Sequence, residues 1–334
     1  MYTKLPVKNF PELAKLESLI ENAPKTVKIS VQGTVQTKKH ELPIYTITIG
    51  TTDRSKPTLG LFGGVHGLER IGSQCVLAYL DSLFEQMRWD EDLNSRLQDV
   101  RIVSIPIVNP GGMLMGTRSN PKGVDLMRNS PVEAHKSPPL LLGGHRMGRW
   151  LPYFRGDLDA GLEVESKTLT EFVRAEMFEA ESAMALDVHS GFGVRDRLWY
   201  PFARSREPFP RENDVKSLES LLNKSYPNHV YVVEPQALVY TTHGDLWDYL
   251  FDEHHKIHGS TGPLFLPWTL ELGSWMWVRK NPLQIFSSLG IFNPIKAHRF
   301  KRTLRRHLPL FDFLLRAIRN YKTWSGISAG VKAS

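Results

Sequence analysis

Cysteine is almost absent from this chain: Cys75 is the only one among 334 residues. A single cysteine excludes an intrachain disulfide, which agrees with a reducing compartment, and we expect a cytoplasmic location. Cys75 falls in a helical pattern that follows the candidate site described below. We therefore interpret it as a small buried apolar residue rather than as a reactive thiol.

Long hydrophobic runs are also absent. No apolar stretch reaches the roughly 18 residues that span a bilayer, so we expect no membrane span. Residues 1 to 19 contain no continuous apolar core, so no secretory signal is predicted. The hydrophobic content of 41% and the charged content of 23% are ordinary for a globular enzyme.

Signatures of nucleic-acid binding are missing, and we expect no nucleic-acid partner although the formal net charge is +7. Much of the positive excess lies in residues 296 to 307. We predict that residues 296 to 322 form a basic, amphipathic pair of terminal helices, the second packed on the core by its apolar face. A solvated basic face is the favoured interpretation, and a site for an anionic surface is the alternative.

A candidate metal site begins with a His-x-x-Glu pair, His66 and Glu69. A predicted strand, 57 to 65, precedes the pair, and a predicted helix, 70 to 87, follows it. Ligands bind at the carboxyl ends of strands in open α/β sheets, so this location favours chemistry. Zinc accepts both residue types, and a catalytic zinc site needs three protein ligands with one position open.

The candidate for the third ligand is His189, which ends a second apolar run and is followed by glycines. Further along, Glu271 lies inside an apolar stretch, where an isolated carboxylate is costly to bury unless it is paired, protonated or near a cation. The sequence therefore points to a metal site with a buried carboxylate near it.

At this point the chain resembles the zinc carboxypeptidase family, from about residue 57 to residue 274. The matching pieces follow one another in the family's order: His66-x-x-Glu69, Asn109-Pro110-x-Gly112, Arg118, Gly123-Val-Asp125-Leu-Met-Arg128-Asn129, Leu186-Asp-Val-His189-Ser and Thr269-Leu-Glu271-Leu. Each piece is weak alone, but six in order form a strong joint signal.

The resemblance implies that His66, Glu69 and His189 bind one zinc ion per chain. It implies that Glu271 is the general base and acid, and that Arg118 stabilises the developing oxyanion, a role for which a positive donor is needed.

It further implies that Asp125 accepts a hydrogen bond from the far nitrogen of His66 and fixes its tautomer. Arg128 and Asn129 fall where the family grips the substrate's terminal carboxylate, for which a planar guanidinium is suited.

Two positions depart from the family's pattern. Met127 stands where the family usually has asparagine, and methionine cannot donate a hydrogen bond. Either another group replaces this donor or the substrate is not an ordinary peptide C-terminus. The family's mobile tyrosine aligns with Tyr249 or with Phe251, and the sequence leaves it unassigned.

The function predicted is zinc-dependent hydrolysis of an amide bond in a peptide or peptide-like substrate with a free carboxylate. Residues 116 to 125 resemble the bacterial branch that includes murein peptide amidases, which makes a cell-wall peptide one candidate substrate. One alternative is an N-acyl amino acid deacylase, related to succinylglutamate desuccinylase and aspartoacylase. Another is a binding protein without catalysis on the same scaffold.

The predicted fold is α/β, with a mixed, largely parallel central sheet and helices on both faces. We expect one metallocarboxypeptidase-like domain over residues 1 to 334. Residues 130 to 163 read as an irregular pocket wall, and His254, His255 and His258 as residues of a solvated helix.

Overall fold

The computed structural model describes residues 10–326, whose strands form one eight-stranded sheet. The strands are Lys28–Gln36 (β1), Glu41–Gly50 (β2), Thr58–Gly63 (β3), Arg101–Ile105 (β4), Ser182–Ser190 (β5), Arg197–Tyr200 (β6), Val232–Pro235 (β7) and Leu264–Leu272 (β8). Their order across the sheet is β1-β2-β4-β3-β5-β8-β6-β7. The β1-β2 hairpin is antiparallel and lies at one edge. The predicted mixed α/β sheet is confirmed.

Helices cover the sheet and fill the connections between strands. They are Pro11–Glu21 (α1), Arg70–Gln86 (α2), Glu91–Arg96 (α3), Pro110–Met115 (α4), Val164–Met177 (α5), Glu212–Ser225 (α6), Leu246–His258 (α7), Trp275–Lys280 (α8), Ser288–Phe292 (α9) and Ala297–Arg319 (α10). Short 3-10 helices include Leu126–Arg128 and Pro282–Phe286. None of the helices between residues 10 and 326 combines the length and the apolarity needed to cross a bilayer.

Two glycines of β3 show that helices pack on both faces of the sheet. A Cβ on Gly60 would lie 2.8 Å from the sulfur of Met177 in α5. A Cβ on Gly63 would lie 3.0 Å from the backbone of Ser73 in α2. Successive side chains of a strand alternate between faces, so positions separated by three residues point in opposite directions. Helices α5 and α2 therefore lie on opposite faces of β3.

The three central strands β3, β5 and β8 are parallel neighbours and are buried along their whole length. A strand covered on both faces reads as a nearly continuous apolar run, which explains its sequence pattern. Because the strands are parallel, their carboxyl ends meet at the same edge of the sheet. This edge is where the candidate site residues lie.

The prediction of two terminal helices is wrong, because residues 297 to 319 form one continuous helix with Pro309 inside it. Proline removes a backbone donor and usually breaks or kinks a helix. Here the residues after Pro309 are held by packing: Leu310, Phe311 and Leu314 are buried in the main core. Tertiary packing therefore overrides the local signal.

The expectation that His254 lies on a solvated helix is also wrong. Its side chain is buried on α7 against Phe178 and Phe265 rather than solvated. Burial lowers the pKa of His254 to about 3, so the imidazole is neutral. His255 and His258 are only partly buried.

Close packing of α2 on β5 gives a test of the fold next to the candidate site. A Cβ on Gly72 would lie 2.1 Å from the carbonyl oxygen of Val188. We expect Gly72→Ala to lower the free energy of unfolding by about 2 kcal/mol, because overpacking forces the helix away from the strand. Urea denaturation measures this, with Ser82→Ala on the exposed side of α2 as the control. Equal stability of Gly72→Ala and wild type would contradict this packing.

Candidate active site

His66 and Glu69 lie in the turn between β3 and α2. The turn is held by a hydrogen bond from the Glu69 amide to the His66 carbonyl, at 3.1 Å. Between them, a Cβ on Gly67 would lie 2.1 Å from the Gly112 carbonyl carbon at the start of α4, so only glycine fits. The turn thereby places both side chains above the sheet edge, and each is almost completely buried.

The pairing of β5 with β8 brings two more candidate residues together. His189 and Glu271 are direct partners across these parallel strands. Partners in register point to the same face, so the imidazole and the carboxylate occupy one side of the sheet edge. Both are buried. The sequence separates them by 82 positions, and the fold makes them neighbours.

Potential ligand atoms of three residues converge at this edge. His66 Nδ1 lies 2.9 Å from Glu69 Oε1 and 3.2 Å from His189 Nδ1, and His189 Nδ1 lies 3.0 Å from Glu69 Oε2. Ligand atoms bound at zinc–ligand distances in a tetrahedral site lie about 3.3 Å apart. Within residues 10–326, this is the cluster of His, Cys, Asp and Glu side chains whose spacing suits a metal ion.

Each imidazole has a carboxylate at its far nitrogen. His66 Nε2 lies 3.1 Å from Asp125 Oδ1, and His189 Nε2 lies 2.8 Å from Asp187 Oδ2. These carboxylates favour the tautomer with the proton on Nε2, which leaves a lone pair on each Nδ1. Two imidazole lone pairs and the Glu69 carboxylate then face one another. A proton or a metal ion between them relieves the repulsion, and three donors of these types at this spacing fit a zinc ion.

The charges around the cluster also favour a cation. Burial opposes ionisation of Glu69, but His66 and His189 hold its pKa well below the usual range. Burial likewise opposes a charge on His189, yet Asp187 and Glu69 raise its pKa well above the ordinary value. The surrounding carboxylates therefore stabilise positive charge at the point where the three ligand atoms meet.

Arg118 is fixed beside this cluster by two acidic partners. Its Nε donates to Asp125 Oδ2 at 2.8 Å and its Nη1 donates to Glu69 Oε1 at 3.0 Å. Its guanidinium carbon also lies 5.0 Å from the centre of the Tyr153 ring. The guanidinium is therefore held in one orientation at the wall of the site.

A cavity of about 260 Å³ opens over these residues. Glu271 lies in its wall and accepts a hydrogen bond from the Phe192 amide at 2.9 Å. Burial, together with the charge of Glu69, raises the pKa of Glu271 to about 8. A cation bound between the two carboxylates would lower that value and favour the ionised base.

The 3-10 helix Leu126–Arg128 forms another part of the cavity wall. Met127 and Arg128 both line the cavity, so the position that departs from the family's pattern does face the candidate substrate site. Asn129 is not among the lining residues: its amide donates to the Arg155 carbonyl and accepts from the Glu163 amide. The structure gives Asn129 the task of holding the loop, whereas Arg128 is presented to the cavity.

Tyr240 lines the cavity, and sequence reasoning did not identify it. Burial raises the pKa of its phenol, and Arg128 and Glu271 are near enough to influence that pKa in opposite directions. Tyr249, the residue suggested by alignment, lies on α7 and accepts a hydrogen bond from Arg174. Tyr240 precedes α7 in an irregular segment without periodicity, so no local pattern marked it.

The C-terminal part of the chain completes the wall. Trp275, Ile291 and Phe292 line the cavity. The next residue, Asn293, donates to the Leu68 carbonyl at 2.7 Å and accepts from the Ile71 amide at 2.9 Å. These bonds tie the segment directly to the turn that carries His66 and Glu69.

Comparison with known proteins identifies proteins that are similar to this chain. The family model described as zinc carboxypeptidase matches residues 13–264, a range that includes all three candidate ligands and ends before Glu271. Carboxypeptidase SOL1 of Arabidopsis thaliana is 23% identical over 279 residues, which are 78% of this chain and 52% of that protein. The catalytic chain of carboxypeptidase N of Rattus norvegicus is 28% identical over 173 residues, 47% of this chain and 35% of that protein. The chain thus spans about half or less of these relatives' length.

The solved structures that share the fold include the following two. Thrombin-activatable fibrinolysis inhibitor superposes with a TM-score of 0.65 at 16% identity, covering 91% of this chain and 72% of that chain. Carboxypeptidase A from Helicoverpa armigera gives a TM-score of 0.55 at 20% identity, covering 77% and 62%. At these identities the likeness concerns the fold.

Metal content tests the three proposed ligands. We expect one zinc per chain in the wild type, and loss of zinc in His66→Ala and His189→Ala because two remaining ligands do not hold a catalytic zinc. Mass spectrometry of the metal in purified protein measures this. His40→Ala, in the β1-β2 turn, is the control and should keep its zinc. Full occupancy in His189→Ala would remove that residue from the site.

Proposed function

This chain belongs to the zinc carboxypeptidase family, and we propose that it hydrolyses the amide bond next to a free carboxylate at the end of a small peptide. One observation carries the proposal: three converging ligand atoms, the buried Glu271 and two arginines face the same cavity of about 260 Å³. The volume suits a single terminal residue better than a folded substrate.

We assign the metal to His66, Glu69 and His189. A zinc ion there would polarise the scissile carbonyl and lower the pKa of a bound water to about 7. Asp125 and Asp187 hold the two imidazoles in the orientation that points each Nδ1 at this position.

We assign the proton transfers to Glu271. It is buried within the same wall as the ligands, and its carboxylate is oriented by the Phe192 amide. It accepts the proton of the attacking water and delivers a proton to the leaving amine nitrogen. Burial raises the pKa of Glu271 and a nearby zinc ion would offset part of that rise, which suits a group that must both take and return a proton near neutral pH.

Arg118 stabilises the carbonyl oxygen as negative charge develops on it. Its bonds to Asp125 and Glu69 preorganise the guanidinium, so little reorganisation is needed during the reaction. Its side chain is still 21% exposed, which leaves part of the guanidinium accessible to a substrate.

Arg128 binds the terminal carboxylate of the substrate, and Tyr240 supplies a further donor. Both line the cavity, and Arg128 affects the pKa of the Tyr240 phenol, so the two groups are close. Tyr240 thereby compensates for the donor that Met127 cannot provide.

Two observations favour different substrate classes. The resemblance of residues 116 to 125 to the murein peptide amidases favours a cell-wall peptide. The missing hydrogen-bond donor at Met127 in the cavity wall leaves room instead for an N-acyl amino acid. A panel of short peptides, cell-wall peptides and N-acyl amino acids separates these substrates by kcat/KM.

Glu271→Gln tests the catalytic assignment. We expect this variant to keep its zinc and to lose hydrolysis by at least about 10³-fold, because the amide removes the base but not the ligands. The control is Glu176→Gln, a largely buried glutamate that pairs with Arg101 at the amino end of β4. Undiminished turnover in Glu271→Gln would refute the assignment.

Arg128→Ala tests recognition of the carboxylate. Loss of a charged hydrogen-bonding partner should lower kcat/KM for a peptide with a free C-terminus by about 10- to 100-fold. The same peptide with an amidated C-terminus is the matched control. Wild type should discriminate against the amide, and the variant should not. An unchanged ratio between the two peptides would mean that Arg128 does not read the carboxylate.

A further inference from the structure

The segment from Leu272 to Phe311, here called the basic segment, contains eight Lys and Arg residues and no Asp or Glu. Its charge alone exceeds the formal net charge of the whole chain, +7. It comprises α8, α9 and the first half of α10, together with the 3-10 helix Pro282–Phe286. The positive excess of the protein is therefore concentrated on one part of its surface.

A cleft of about 190 Å³ lies between α8 and α10 within this segment. Cationic residues make up half of the residues in its wall: Lys280, Arg299, Arg302 and Arg306, with His298 beside them. Several cations around a small cleft suit a phosphate group, because guanidinium and ammonium groups match its charge and its acceptor oxygens.

Some of these cations have no internal counter-charge. Arg306 pairs with Asp196, and Arg299 donates to the backbone of Trp277 and Lys280. In contrast, the side chains of Arg302 and Arg305 make no hydrogen bond or ion pair with any residue between 10 and 326. Their charge is available to an external anion.

Large exposed apolar side chains follow Lys280, one of the cleft residues, in the chain. On the 3-10 helix that follows Lys280, Leu283 is 75% exposed and Phe286 is 86% exposed. Ile285 between them is also exposed. Exposed apolar groups flanked by positive charge are typical of surfaces that insert into the boundary region of a lipid bilayer.

We propose that this face docks onto the surface of an anionic phospholipid membrane. A headgroup phosphate occupies the cleft lined by Arg299 and Arg302, and Leu283 and Phe286 enter the interfacial layer. Trp275 and Phe292 of the same segment line the catalytic cavity, so docking holds the mouth of that cavity near the lipid.

Charge complementarity selects a membrane over the other occupants. A symmetric dimer through this face would place the basic segments of two copies against each other, and like charges repel. A nucleic acid would satisfy the cations, but its binding would leave the aliphatic Leu283 and Ile285 without a role. Anionic lipid accounts for both the charge and the apolar side chains.

Vesicle sedimentation with the zinc-loaded chain of 334 residues tests the proposal. We expect binding to vesicles of phosphatidylcholine with about one-third phosphatidylglycerol, and none to phosphatidylcholine alone. Arg302→Gln combined with Arg305→Gln should weaken binding roughly 30-fold. Leu283→Ser combined with Phe286→Ser should weaken it roughly 10-fold or more. Inorganic phosphate should compete only weakly, because it cannot replace the apolar contact.

Matched controls separate this face from general charge and hydrophobicity. Lys38→Gln with Lys39→Gln removes two cations at the far edge of the sheet, and Trp89→Ser removes a 68% exposed aromatic residue beyond the far end of α2. Both should bind vesicles like the wild type. Zinc content and hydrolysis of a soluble peptide should be unchanged in every variant.

Several results would overturn the proposal. They are an absence of binding to anionic vesicles, equal loss in the control variants, binding that survives both patch variants, or tight binding of an oligonucleotide by the same residues in place of vesicles. A dimer in sedimentation velocity that Phe286→Ser dissociates would assign the face to a second copy. The readout does not involve catalysis, so it is independent of the function proposed above.

Discussion

The register between β5 and β8 is the constraint on which the site depends. Pairing His189 with Glu271 places a ligand and the proposed base side by side at the ends of two buried parallel strands. A shift of one residue would turn each side chain to the other face of the sheet. The apolar residues on both strands are buried, so such a shift would also expose parts of the core. The hydrophobic core thereby fixes the geometry of the candidate metal site.

Buried acids provide the electrostatic counterpart of this geometry. Asp125, Asp187 and Glu69 are removed from water, where anions are costly unless positive charge is near. Arg118 neutralises part of this negative charge, and a bound divalent cation would neutralise more. The candidate site therefore favours a cation in two ways. The sheet edge carries the candidate ligand atoms, and the buried acids behind them add negative charge.

The sequence pointed to the candidate ligands because strands that could be recognised by their apolar runs end at these residues or just before them. His66 and His189 are of this kind, and Glu271 was conspicuous as a charge in an apolar stretch. Asp187 interrupts an apolar run in the same way. Its partner His189 is only two residues away on the same strand, and nothing in the sequence indicated this contact, which the structure shows. Tyr240 lies in an irregular segment whose path depends on distant contacts. The prediction of two terminal helices failed because packing of the residues after Pro309 stabilises one continuous helix.

The hydrogen bonds of Asn293 affect the order in which the site can form during synthesis on the ribosome. The turn that bears His66 and Glu69 is synthesised early, whereas Glu271, Phe292 and Asn293 come near the end of the 334-residue sequence. The amide of Ile71 and the carbonyl of Leu68 can form these hydrogen bonds only after Asn293 has been synthesised. A nascent chain can therefore build much of its sheet while it still lacks a complete active site. Because these residues are so far apart in the sequence, the wall of the candidate site can close only after residue 293 has been synthesised.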